Sequence, residues 1–105
     1  MHRIQERALP DPTAVILRFN GDADDLAQRF ETARQLWIEA QAADYVRPIF
    51  YASCKTKSGI VVVTAWPTNE AHKAFGPAMR PHLEAAGLPR PDSHEHLRID
   101  TLGWT

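Results

Sequence analysis

The sequence predicts a small α+β domain of element order βαββαβ, the ferredoxin-like arrangement in which two helices cover one face of a four-stranded antiparallel sheet. Three observations predict it. The runs Ala14-Val15-Ile16-Leu17 and Ile60-Val61-Val62-Val63 are too short for helices and rich in strand formers. Two other segments carry apolar residues at three- and four-residue spacing, and the last segment alternates polar with apolar residues. The 105 residues hold one such domain and leave no room for a second core.

Residues 1–12 are polar and end in Pro10-Asp11-Pro12, so they read as an arm leading into a single domain over 13–105. The first strand, β1, is expected over 13–19, with Asn20-Gly21 as its closing turn. Asp22 or Asp24 caps a helix, α1, in which Leu26, Phe30, Ala33, Trp37 and Ala40 form one stripe to about residue 43. Strands β2 (49–56) and β3 (60–66) form a hairpin across Lys57-Ser58-Gly59. Pro67 stops β3, and Thr68-Asn69-Glu70 starts α2 before Ala71, Ala74 and Phe75. Gly76-Pro77 predicts a kink or break, with a second helical piece starting at Pro77 and ending at Gly87. His96, Arg98 and Asp100 alternate with Leu97, Ile99 and Thr101, which predicts β4 over 94–102.

Composition narrows the function classes. Hydrophobic residues make up 44% and charged residues 24%, a globular balance, and the net charge of -1 offers no field to attract nucleic acid or an anionic membrane. No apolar run approaches the roughly 20 residues that span a bilayer, and the N-terminus has no signal-type apolar core. The lone Cys54 excludes an intramolecular disulfide and fits the cytoplasm; it reads as a small buried apolar residue. Because β1 and β3 are apolar at consecutive positions, both faces of the central strands need to leave water. Helices cover one face. A second copy of the sheet is the economical cover for the other, so a homodimer through the open sheet face, a dimeric α+β barrel, is expected.

The segment Ile60 to Trp66, followed by Pro67-Thr68-Asn69-Glu70-Ala71-His72-Lys73-Ala74-Phe75, resembles the antibiotic biosynthesis monooxygenase superfamily. There a hydrophobic third strand ends in Trp, a short polar turn follows, and the second helix carries a Phe near this spacing. The resemblance covers residues 13–102 as an element pattern and implies a cofactor-independent oxygenase acting on a small aromatic or apolar ligand. Related barrels include haem-degrading enzymes and non-catalytic binding proteins, and fold alone does not choose among them.

Each candidate site residue has a structural alternative. Trp66 shares a strand face with Val62 and Thr64, where an indole walls a pocket or donates to a substrate oxygen; core packing is the simpler use. His72 lies on a helical stripe with Phe75, Met79 and Leu83 and is positioned to shuttle protons, or is a surface histidine. His82 follows Pro81 and is the alternative proton carrier, or the ligand that a haem reading requires. Phe75 stands where the haem-degrading relatives carry Trp, which weakens that reading. Tyr51 shares a face with Ser53 and Ile49 and offers a hydroxyl to an aromatic ligand. Phe75 and Met79 are expected to line the ligand site, and Asn20 stands where some relatives place a functional asparagine, or closes an ordinary turn. His94 and His96 point to one strand face, but they are half of a metal site, so no metal is expected. No cofactor is expected.

Overall fold

Four strands and two helices follow one another in the expected order: β1 (Thr13–Asn20), α1 (Ala23–Ala40), β2 (Phe50–Thr56), β3 (Gly59–Trp66), α2 (Asn69–Ala85) and β4 (Ser93–Arg98). The structure, a computed structural model, describes residues 11–40 and 47–102. Most of the expected arm and the expected end of α1 near residue 43 lie outside the described residues. All strand pairs are antiparallel, and the sheet order is β2-β3-β1-β4. The two apolar runs are thus the central strands. The helices pack on one face, and this is the ferredoxin-like α+β fold.

Strand periodicity sorts the side chains into two layers. On the helix side, Phe19 pairs across from Ile60 and Leu17 from Val62, and these pack with Leu26 and Leu88 into a buried core. Ala33 and Trp37 of α1 meet Met79 of α2 in a second core between the helices. Each large apolar side chain buried in this way contributes about 1.5–3 kcal/mol. Both helix starts are capped by side chains: Asp22 Oδ1 accepts from the Asp25 amide at 2.8 Å, and Thr68 Oγ1 accepts from the Ala71 amide at 3.0 Å. The C-terminus of α2 closes with Gly87 at φ +72°, its amide donating to Glu84, while the amide of buried Leu88 donates to the Leu83 carbonyl. This is the glycine-terminated helix end expected there.

Three expectations need correction. α2 is not broken at Gly76-Pro77 but runs without interruption to Ala85, with Pro77 and Pro81 inside it. Both prolines are exposed, as are Lys73 and Pro77, whose carbonyls lose their intrahelical donor, so water satisfies those groups. β4 ends at Arg98 rather than 102, although the Ile99 amide still donates to the Pro12 carbonyl at 2.8 Å. Cys54 is exposed, not buried, because β2 is an edge strand and Cys54 lies on its helix-free face.

That open face carries three cross-strand rows. Phe50, Ala65, Ala14 and Leu97 form the first, with two small residues between two exposed large ones. Ala52, Val63, Ile16 and Glu95 form the second, and Cys54, Val61, Arg18 and Ser93 the third. No described helix covers these rows.

The β2–β3 hairpin depends on Gly59. Its φ is +152°, and a Cβ there would collide with the Phe19 carbonyl oxygen in the centre of the sheet. Gly59→Ala is expected to lower stability by about 3 kcal/mol or more, measured by urea unfolding. A loss below about 1 kcal/mol would contradict this account of the hairpin.

Candidate functional site

Trp66 ends β3 on the helix side, opposite Thr13, and is 1% exposed. Its indole N–H donates to Thr64 Oγ1 at 2.7 Å. The donor that a substrate oxygen would have used is therefore taken, and the ring itself is buried, so Trp66 is a core residue that backs the site rather than a surface open to a ligand. Phe75 packs against that ring with centroids 4.8 Å apart, and Trp37 meets Phe75 edge-on at 5.1 Å. An aromatic wall thus runs from α1 through α2 to the end of β3.

His72 completes this wall. It sits in the first turns of α2, one turn before Phe75, and its ring lies 5.3 Å from that of Trp66. On its other side is His96 of β4, 5.0 Å away and edge-on, followed by His94 at 5.3 Å from His96. His72 is half-buried, and its Nδ1 is shielded from solvent without a hydrogen-bond partner. Burial, then the charges of His96 and His94, push its pKa below the ordinary histidine value. The imidazole is thereby held neutral near pH 7 with an unused nitrogen, able to accept a proton but less basic than an ordinary histidine.

This depression has a consequence for stability. In the window below pH about 6.5 the unfolded chain binds a proton that the folded site resists, so stability falls as pH drops through that window. His72→Gln is expected to flatten this slope in urea unfolding midpoints taken from pH 8 to 5. An unchanged slope would show that His72 is not the group responsible.

The other candidates lie elsewhere. His82 is half-buried on α2, ten residues beyond His72, a rise of about 15 Å along the helix axis. The two histidines therefore belong to different regions. Tyr51 faces the helix side in the row Tyr51, Thr64, Val15, His96, which puts it on the opposite sheet edge from β4, three strand spacings or about 14 Å away. There it packs against Phe30, with centroids 6.3 Å apart, and under the Arg34 guanidinium at 5.5 Å. Met79 is buried between the helices with Ala33 and Trp37. Asn20 is exposed on the opposite sheet face from Trp66, and its backbone amide donates to the Asp92 carboxylate. Among the described residues, no three His, Cys, Asp or Glu side chains are placed to hold a metal ion together.

Sequence reasoning missed two members of the site. Thr64 is legible in hindsight, because residues two apart on a strand share a face and Thr64 is the only hydroxyl on that side of β3. His96 as the neighbour of His72 has no local signal, since it depends on which edge of the sheet β4 joins.

No protein-family model matches the sequence, and no curated protein matches it. Solved structures do match in shape. A Chloroflexus aurantiacus protein assigned as an antibiotic biosynthesis monooxygenase superposes with a TM-score of 0.58 at 15% identity, over 84% of this chain and 92% of that one. SnoaB from Streptomyces nogalater, a cofactor-independent oxygenase, superposes with a TM-score of 0.53 at 14% identity, over 85% of this chain and 91% of that one. The chain shares their fold. At these identities the likeness concerns the fold, as the resemblance along 60–75 implied, and the site must be argued from its own residues. No helix among the described residues is long and apolar enough to cross a membrane.

Proposed function

We propose that this chain is a cytoplasmic, homodimeric, cofactor-independent oxygenase that acts on a small aromatic substrate, with His72 as its proton acceptor. One observation carries the reading: a neutral, half-buried imidazole with an unpartnered, buried nitrogen stands against an aromatic wall. A phenolic ring seated against the half-buried His72, which the aromatic residues back, brings its hydroxyl to the imidazole. Proton transfer to the imidazole leaves an electron-rich anion, and the substrate itself then supplies the electrons that reduce oxygen. The fold shared with SnoaB, a cofactor-independent oxygenase, is compatible with this chemistry. The test is oxygen uptake with a panel of phenols and naphthols in buffer free of flavin, reductant and added metal. Protein-dependent uptake is expected; uptake restricted to flavin-supplemented samples, or none across the panel, would defeat the reading.

The dimer is supported by the open face, where half-buried Ile16, Val61 and Val63 lie together and exposed Phe50 and Leu97 flank the first row. A sheet face of this kind is a large apolar patch unless a second one covers it. Sedimentation is expected to give twice the 11.8 kDa chain mass at micromolar concentration, and Val63→Asp, which puts a charge in the middle row, to give the chain mass. A monomeric parent chain would refute the pairing. The exposed free Cys54 suits the reducing compartment named here.

A further inference from the structure

We propose that Arg18 and Glu95 form reciprocal ion pairs across the open sheet face, each with its counterpart in a second copy of the chain, and that these pairs fix how the two sheets cross. The proposal rests on the homodimer reading and adds to it the residues that choose the partner and its orientation. Strand parity supplies the first observation. The three open-face rows hold one cation, Arg18 of β1, and one anion, Glu95 of β4, and every other side chain in them is uncharged. Both are exposed, and neither makes an ion pair or a side-chain hydrogen bond among the described residues. They are diagonal neighbours, since Arg18 lies opposite Ser93, two residues before Glu95. Such neighbours stand about 7–8 Å apart, within reach of an arginine, yet the contact is not made.

The other charges near this face lie off the ends of the rows: Asp92 and Lys57 past the third, Asp11, Arg47 and Asp100 past the first. Asp92 stands closest, because its amide donates to the Arg18 carbonyl at 2.7 Å. Its carboxylate accepts from the Asn20 amide and forms no ion pair with Arg18. Covering the face with a purely apolar partner would therefore bury a guanidinium and a carboxylate without counter-ions, which is strongly unfavourable.

A two-fold axis between the sheets removes that penalty, because an isologous interface needs a self-complementary patch. With strands about 4.8 Å and rows about 6.8 Å apart, the axis that exchanges Arg18 with Glu95 runs diagonally across the face and passes beside Ile16 and Val63. Those half-buried residues then meet their own copies, and exposed Leu97 falls beside Val61 of the partner subunit. One operation covers the apolar rows and neutralises both charges. A foreign partner would have to carry an anion and a cation at the same diagonal spacing; a second copy carries them by symmetry.

The experiment uses the full chain and two charge reversals, Arg18→Glu and Glu95→Arg, alone and mixed, followed by sedimentation equilibrium and native mass spectrometry. Each variant alone sets like charges face to face and is expected to weaken self-association at least about 100-fold. In an equal mixture one chain brings two carboxylates and the other two guanidinium groups, so both cross-contacts become attractive. A one-to-one heterodimer within about tenfold of the parent affinity is expected. Contacts inside either chain stay repulsive in the mixture, so a pair formed within one protomer, or between Arg18 and Asp92, predicts no such rescue. Recovery of the folded heterodimer on mixing is the readout even where a dissociated variant loses its circular dichroism signal. The chain carrying both reversals is expected to dimerise like the parent. With a dimeric parent, single variants that still dimerise, a double variant that does not, or a mixture that stays unpaired would overturn this proposal and leave the homodimer standing. A monomeric parent would remove both.

Discussion

Replacing His72 by glutamine is expected to lower oxygen uptake by about 10²–10⁴-fold, the range that a positioned acid or base supplies. Glutamine fills similar space and keeps hydrogen-bonding capacity, but it accepts no proton near neutral pH. The loss should fall on turnover more than on substrate affinity, because glutamine fills similar space beside Trp66 and only the proton acceptor is removed. Sedimentation and circular dichroism of the variant should match the parent, since the open sheet face and the helix cores do not involve His72. Uptake within about threefold of the parent in a folded dimer would remove His72 from the chemistry. A parallel His82→Gln variant is expected to retain activity, because that residue lies about 15 Å further along α2.

The second large effect concerns stability. Trp66→Ala is expected to lower the unfolding free energy by about 3–5 kcal/mol, measured by urea unfolding at one fixed protomer concentration. The indole is 1% exposed and contacts both Phe75 and His72, so its removal leaves a cavity at the junction of sheet and α2. It also strips the Thr64 hydroxyl of its 2.7 Å donor. Trp66→Phe separates these contributions, because it keeps a ring in the cavity and removes the hydrogen bond, and should cost about 1–2 kcal/mol. A loss near zero for Trp66→Ala would mean that the ring is a surface ornament of the fold and not the wall of a site.

The fold was largely legible because each element carries its own local signal. Consecutive apolar residues marked β1 and β3 as central strands, and Thr68 capped α2 at the place its sequence implied. Helical spacing put Phe75 and His72 on one side of α2. Local signals failed where the outcome depends on solvent or on a distant partner. Gly76-Pro77 read as a kink or break, yet Pro77 lies on an exposed helix face where water can replace the lost backbone bond. Cys54 read as a small buried apolar residue from its side-chain chemistry, but the position of β2 at the sheet edge exposes it.

The site was legible only in part, for the same reason. Parity places Trp66 and Asn20 on opposite faces once the β1–β3 register is known, and no single segment encodes that register. His72 and His82 both looked suited to proton transfer, and helix length alone separates them. The contact between His72 and His96 joins residues 24 positions apart and exists because β4 pairs with β1. The β4 histidines therefore read as a possible half of a metal site when seen in the strand, and as neighbours of a buried imidazole when seen in the sheet.

A crystal structure of the dimer with a bound phenolic substrate analogue tests the central claim most directly. The predicted result is an aromatic ring lying against His72 with its oxygen within hydrogen-bonding distance of the imidazole, on the side facing His96. A ligand seated beside His82, beside Tyr51 at the far sheet edge, or between the two open sheet faces would contradict it.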